Sequence, residues 1–525
     1  MKTALVINIA ALATAFLLPL SAWGVSVPVE KPIGSPKVYM HYMPWFQTPS
    51  SLGGTGGSSW GWHWKMNTQN PNVIDASGKR QIASHYYPKI GPYDSTDSDV
   101  IEYHSLLMKY SGVDGALVDW YGVQGANGDV GSLLTASNAF INKTSSFGLG
   151  FGLVTEDRFW TVSISNTTPD ISKAQANMAY AGSNYINQPN YIQAGPTNSP
   201  LLPIFGPITF TQPSQWNQIL PPLGADPEFL TLPGKSSLAG SNSDGEYAWP
   251  YQDPNTTDHL SKLRSFYQSS APFLKTAGGV AYPGFNDFYQ QGGAGSTLFY
   301  IPENNGQTLS DTLNLYTDWS TGARSGLLDF LQLATFNDFG EGTMFEPTVE
   351  TGFTYLHQLQ VFTGAKDPTT HQALDESDLQ LIYELYLARK RYAGNAATEA
   401  LLSQVSDMLL AMQIDSARTL FEQASPPGDY NADGLVNMSD YNTWRNSYGK
   451  STIIYGGGPN GTYSGADGDY NGSIDIGDYV IWRKSFSGGA GASLTAIPEP
   501  TSCSLLGFAA VLWCCYSINR RVRVH

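Results

Sequence analysis

Residues 334–347 read "ATFNDFGEGTMFEP", an apolar run that passes directly into Asn337, Asp338 and Glu341, with glycines at 340 and 342. Two carboxylates three residues apart, on a loop that glycine lets bend, can converge on one reacting group as proton donor and proton acceptor. The plainer alternative is a pair of solvated turn residues. A second group of acids obeys a different rule. "DYNADGLVNMSDY" and "DGDYNGSIDIGDY" are two copies of one pattern, starting at Asp429 and Asp467 and so 38 residues apart. Calcium takes six to eight oxygens, and a 12-residue loop supplies them from positions 1, 3, 5, 7, 9 and 12 around a glycine at position 6. The first copy offers Asp429, Asn431, Asp433, Leu435 through its carbonyl, Asn437 and Asp440, with Gly434 at the turn. The second offers Asp467, Asp469, Asn471, Ser473 through its carbonyl, Asp475 and Asp478, with Gly472 at the turn. Two calcium sites are expected here, and no cofactor is expected in the larger domain.

The elements that must position Asp338 and Glu341 are short strands. Eight β-like runs lie between Lys37 and Gly342: "KVYMHYM", "GVDGALVDW", "GLGFGLVTE", "LLPIFG", "EFLTLPG", "EYAWPY", "GGVAYPGF" and "LLDFLQLATF". Several end in polar or aromatic residues. Eight such runs separated by helix or loop suggest an α/β fold, a (β/α)8 TIM barrel, in which chemistry collects at the C-terminal ends of the strands. "DSDVIEYHSLLMKYSG" reads as a helix, with an Asp/Ser start, apolar Val100, Ile101, Leu106, Leu107 and Tyr110, and a glycine stop. "DESDLQLIYELYLARKRYAGN" and "ATEALLSQVSDMLLAMQIDSARTLFEQAS" read as two amphipathic helices outside the barrel, either a hairpin packed on it or a spacer. "SSWGWHWKMN" reads as an aromatic flap over the site, or else as a packed loop.

The 525 residues suffice for one large domain with attachments. Only 14% of residues are charged while 13% are aromatic, a balance suited to an extracellular protein that stacks rings on sugars. A net charge of -16 argues against a nucleic-acid partner, which demands clustered Lys and Arg. Lys2, the apolar run from Ala4 to Leu20 and "SAWG" read as a secretory signal peptide ending at Gly24, the alternative being an uncleaved anchor. All three cysteines, Cys503, Cys514 and Cys515, sit near the C-terminus, so no disulfide staples the body. There, Pro498-Glu499-Pro500 precedes about 17 mostly apolar residues and then Arg520, Arg521 and Arg523, the pattern of a short span with a positive inner flank. Zinc-type clusters and phosphate loops are missing, so metal-assisted hydrolysis and nucleotide chemistry lack support.

Three resemblances follow from these strings. "HYMPWF" at 41–46, "ASHYYPKIGPYDSTDSDVIEYHSLLMKYSGVDGALVDWYG" at 83–122, "PGFND" at 283–287 and "FNDFGEGTMFEP" at 336–347 together resemble the clan of glycoside hydrolase families 71 and 99. The resemblance spans residue 37 to about 360 and implies a retaining, endo-acting hydrolase of α-linked polysaccharide. It implies Glu341 as general acid/base and Asp338 as its partner carboxylate. Family 99 has Glu at the latter place and family 71 has Asp, so the choice between the 2-hydroxyl epoxide route and family 71 chemistry stays open. For the substrate it implies His41, Tyr42, Trp45, Tyr87, Asp119, Trp120, Tyr121, Glu156, Asp157 and Asn337; Glu246, Tyr247, Trp249 and Asp287 read as further cleft wall and Trp62 and His63 as part of the flap, the alternative for each being a packing role. "TEDRF" departs from the family's Glu-Pro-Tyr at the third strand. The paired acidic loops, each followed by a Trp/Arg segment and ending in Asp at position 12, resemble dockerin type I modules, which implies a cohesin-like partner. The tail resembles the PEP-CTERM sorting signal of Gram-negative bacteria, which implies processing by an exosortase-type enzyme.

The expected organisation is a signal peptide at 1–24, a hydrolase barrel at 25–366, a helical segment at 367–425, an EF-hand-like all-α calcium module at 426–488, and a linker with sorting or membrane segment at 489–525. The protein is expected outside the cytoplasmic membrane or at the cell surface. The competing reading is a non-catalytic glycan-binding or surface-matrix protein on the same scaffold.

Overall fold

A computed structural model describes residues 26–52, 59–251, 258–295, 300–450 and 466–486. The expected signal peptide and the sorting tail lie outside these residues. Among the described residues no helix is long and apolar enough to cross a membrane.

All eight runs singled out in the sequence form strands: β1 (Val38–Tyr42), β2 (Gly115–Trp120), β3 (Gly150–Thr155), β4 (Ser199–Pro203), β5 (Glu228–Thr231), β6 (Gly245–Tyr247), β7 (Thr276–Ala281) and β8 (Phe330–Leu333). Their near-continuous apolar character fits burial on both faces, the condition of a parallel sheet covered by helices. Neighbours pair in parallel from β1 to β3 and from β4 to β8, and β1 pairs with β8, with Val38 opposite Leu331. Between β3 and β4 the ladder thins to bridges, Phe151 with Tyr191 and Thr155 with Ile204, and the Phe205 N–H donates to the Thr155 carbonyl at 2.8 Å. These bonds close the ring, and a (β/α)8 barrel results.

Helices α1 (Ser98–Tyr110), α2 (Val130–Thr144), α3 (Ile171–Asn184), α4 (Pro213–Ile219), α5 (Leu260–Ser269), α6 (Gln307–Ser320) and α7 (Thr354–Thr363) cross between strands, while a single turn, Ser236–Ala239, follows β5. The predicted start of α1 is a cap: the Asp97 carboxylate accepts from the Asp99 N–H at 2.9 Å.

The helical segment packs on the barrel. Helix α8 (Glu376–Arg391) lies against α1. Arg389 pairs with Glu102, and Lys390 pairs with Asp97 at 2.7 Å and Asp99 at 2.6 Å. The long run after residue 396, expected as one helix, is two: α9 (Ala396–Leu410) and α10 (Ile414–Ala424). Met412 breaks it with a positive φ of 56°. Neither glycine nor proline marks the turn, so composition gave no stop signal. Beyond it, α11 (Met438–Ser447) and α12 (Ile476–Ser485) share a small core of Tyr430, Tyr441, Trp444, Ala466, Ile474 and Trp482.

Candidate active site

The loop after β8 is folded back on itself. The Thr335 N–H donates to the Thr343 carbonyl and the Phe345 N–H to the Thr335 carbonyl, both at 2.9 Å. Inside this loop the Asp338 N–H donates to Thr335 Oγ1 at 2.8 Å, and Oδ1 of Asp338 accepts the Glu341 N–H at 2.9 Å. A neighbouring segment fixes the far side, because the Asn286 N–H donates to the Glu341 carbonyl and the Phe288 N–H to the Gly340 carbonyl, each at 2.8 Å. Gly342 is required at this crossing. Its φ is +68°, and a Cβ there would stand 2.6 Å from the Asn286 carbonyl oxygen. This pairing delivers Tyr289, whose hydroxyl donates to Oε1 of Glu341 at 3.2 Å.

Asp338 and Glu341 open on a cleft of about 730 Å³ at the C-terminal ends of the strands. Asp119, Asp129 and Glu156 also line it, and Arg158 is the one ammonium or guanidinium on the wall among the described residues. Arg158 Nε stands 3.7 Å from Glu156 Oε2. So many acids with so little compensation resist ionisation. Burial pushes Asp338 up to about 7, and Glu156 likewise to about 7. Burial and then the Asp338 charge hold Glu341 well above the usual carboxylate range, and burial followed by the Glu156 charge does the same to Asp119. Both Asp119 oxygens and Glu341 Oε2 are buried without a hydrogen-bond partner. Those atoms are acceptors, or donors when protonated, that a hydroxyl-rich ligand would satisfy.

The remaining wall is aromatic. Trp45 and His63 stack with ring centres 4.1 Å apart, His41 meets the Trp249 ring edge-on at 4.9 Å, and Tyr121 stacks with Phe159 at 5.6 Å. Burial pushes His41 and His63 down to about 3, so both rings are neutral near pH 7. Trp62 also lines the cleft. Its neighbours in the expected flap, Trp60 and Trp64, are buried in the core, and residues 53–58 lie outside those described.

His41, Trp45, Trp62, His63, Asp119, Tyr121, Glu156, Trp249, Asp338 and Glu341 are therefore brought together on one wall. Other residues expected there point elsewhere, and strand alternation explains most of them. Tyr42 follows inward-facing His41 and points out, stacked on Phe140 at 4.0 Å with its hydroxyl 3.2 Å from His104 Nδ1. Trp120 lies between Asp119 and Tyr121 and packs against Tyr180 and Tyr185 in the outer layer. Asp157, next to Glu156, spends its carboxylate on the N–H groups of Ile208, Thr209 and Phe210. Glu246 accepts from the Ser236 N–H, and Tyr247 donates its hydroxyl to the Ile204 carbonyl. Tyr87 is buried, its oxygen accepting the Arg80 N–H. Asp287 shapes the turn that carries Tyr289 by accepting its N–H at 3.0 Å. Asn337 clamps the loop to the end of β1, accepting the Met43 N–H at 2.8 Å and donating to the Met43 carbonyl and the Tyr93 hydroxyl at 3.0 Å each.

Tyr289, Arg158, Phe159 and Phe205 line the cleft and escaped the sequence reading. Arg158 and Phe159 lie inside "TEDRF" and Phe205 in "LLPIFG", so the strand-end position was the available signal; Tyr289 follows "PGFND" by two residues.

The two acidic loops are built alike. Position 1 accepts from positions 5 and 6: Asp433 and Gly434 donate to Asp429, and Asn471 and Gly472 donate to Asp467. Position 12 accepts from positions 2, 3 and 9, as Asp440 does from Tyr430, Asn431 and Asn437, and Asp478 from Gly468, Asp469 and Asp475. In the second loop, one oxygen each of Asp467, Asp469 and Asp478 lies within 4.8 Å of the others. That span is about two calcium–oxygen bond lengths, so the donor set fits a hard divalent cation.

No family model matches the chain. It is 22% identical over 312 residues to a glycoprotein endo-α-1,2-mannosidase of Xenopus laevis, covering 55% of this chain and 64% of the relative. The alignment thus spans less than two thirds of that relative. Among solved structures, a GH99 endo-α-mannosidase of Bacteroides thetaiotaomicron superposes with a TM-score of 0.46 at 18% identity, over 62% of this chain and 96% of that one. A glycoside hydrolase-like protein gives 0.44 at 13% identity, over 65% and 97%.

Proposed function

We propose that the protein is an exported glycoside hydrolase that cleaves a neutral, α-linked polysaccharide internally and with retention. The observation that carries this reading is the pair Asp338 and Glu341, joined on one loop by the Glu341 N–H to Asp338 Oδ1 bond and both lining an aromatic cleft, with both carboxyls pushed upward. Glycoside cleavage requires one carboxyl that keeps its proton until the leaving oxygen needs it and a second that gives its proton up first. Glu341, the more strongly raised, is the acid, and Asp338 is the base or nucleophile. The α-linkage rests on the similarity to the Xenopus endo-α-1,2-mannosidase. Once Asp338 ionises, its charge among the carboxyls of Asp119, Glu156 and Glu341 disfavours a sulfated or uronate polymer, which favours uncharged sugars.

The two acidic loops hold calcium in this reading, in a dockerin-like module for a cohesin-like partner, and the ends of the chain direct export and exosortase-type sorting. The full chain is to be screened on α-mannans and α-1,3-glucans, with the product anomer read by NMR. Retained α product that disappears in Glu341→Gln supports the hydrolase. Tight binding of a polymer without turnover in the native chain would replace it with a glycan-binding scaffold.

A further inference from the structure

The first acidic loop is not free on its outer side. Asp429 is fully buried, and its Oδ2, besides accepting the Gly434 N–H, accepts the Tyr392 hydroxyl at 2.8 Å. Tyr392 sits directly after α8, the helix that lies against α1 of the barrel. Arg391, one residue earlier, places its guanidinium over Tyr470 of the second loop, 5.9 Å from the ring centre. The tether is short and stiff: residues 425–428, two of them proline, join the end of α10 to Asp429. A tether of that length keeps the module at high effective concentration against α8.

We infer that the end of α8 is the docking surface for the module, and that calcium in the first loop and docking of the module onto the hydrolase are one linked event. This rests on the calcium reading proposed above. The first loop presents three aspartates at ligand positions (429, 433, 440) and the second presents four (467, 469, 475, 478). Fewer anionic ligands mean a weaker intrinsic site. An outer-shell donor that fixes the orientation of a ligating carboxylate raises metal affinity, and Tyr392 supplies it only in the docked arrangement. By reciprocity, calcium tightens the docked arrangement by the same factor. The helical segment thereby acquires a role: it joins barrel and module into one calcium-dependent body.

The test is calcium titration of the full chain by calorimetry, together with hydrogen exchange of the amides in 376–391, for native protein and Tyr392→Phe. The native chain should show two binding events and calcium-dependent protection at the end of α8. Tyr392→Phe should weaken one event about tenfold, leave the other within about twofold, and lose that protection. Two unaltered events with unaltered protection in Tyr392→Phe overturn the linkage while leaving the calcium loops in place. No calcium heat in the native chain removes the calcium reading itself, and the linkage with it.

Discussion

The Tyr289 hydroxyl donates to Oε1 of Glu341 at 3.2 Å, and it reaches that oxygen because the segment before it pairs with the backbone of Gly340 and Glu341. A donor to a carboxylate favours the ionised form, so Tyr289 lowers a Glu341 pKa that burial and Asp338 raise. Tyr289→Phe should therefore move the alkaline limb of the pH–rate profile to higher pH and lower kcat about tenfold, with KM changed less. An alkaline limb that stays in place would separate Tyr289 from the acid.

In the proposed mechanism Asp338 loses its proton before Glu341 does. With Asp338 lifted to about 7 and Glu341 held higher by that very charge, activity should climb as pH rises through about 7 and fall again once Glu341 ionises. Asp338→Asn should abolish turnover by at least about a thousandfold while polymer binding persists. Steady-state profiles between pH 5 and 10 check the first expectation, and binding isotherms of the inactive variant check the second.

The same burial has a consequence for stability. Asp338 has a folded pKa near 7 against an ordinary value of 3.8, so between those values the native state keeps a proton that the unfolded chain has released. Its contribution is full below the lower value and lost as pH rises through the upper one. Asp338→Asn lacks this dependence. The difference in Tm between variant and native protein should thus shift in the variant's favour from pH 4 to pH 8, as read by scanning calorimetry.

Much of this arrangement is legible in the sequence, and what is not has a common cause. Short apolar runs ending in polar residues gave all eight strands, because a doubly buried parallel strand has a composition of its own. The same runs named His41, Asp119 and Glu156, which line the cleft, but also their neighbours Tyr42, Trp120 and Asp157, which do not. Adjacent strand residues face opposite sides, and a resemblance that marks a strand end does not say which of two polar or aromatic neighbours faces in. Tyr289 was invisible for another reason. It reaches Glu341 through backbone pairing between segments some 50 residues apart, which no local spacing records. Likewise the break at Met412 is set by packing of α9 on α10, with no residue type to announce it.

Behind the loop that carries Asp338 and Glu341 lies a further buried pair. Glu346 and His104 are both fully buried, with Oε1 and Nε2 3.4 Å apart, and Glu346 Oε2 accepts the Tyr93 hydroxyl at 2.7 Å. Tyr93 in turn accepts from Asn337, which holds the loop to Met43, so the chain of contacts runs from α1 to the residue preceding Asp338. Removing the carboxylate leaves the Tyr93 hydroxyl without its acceptor and empties the place beside the His104 ring in a dry interior, a loss on the order of 3 kcal/mol. Glu346→Ala should accordingly lower Tm by several degrees and reduce kcat more than it raises KM, because the reacting pair loses its seat while the aromatic wall stays. Glu346→Gln keeps an acceptor for Tyr93 and should recover most of the stability. Equal losses in the two variants would mean that the negative charge, and not the acceptor, holds the loop.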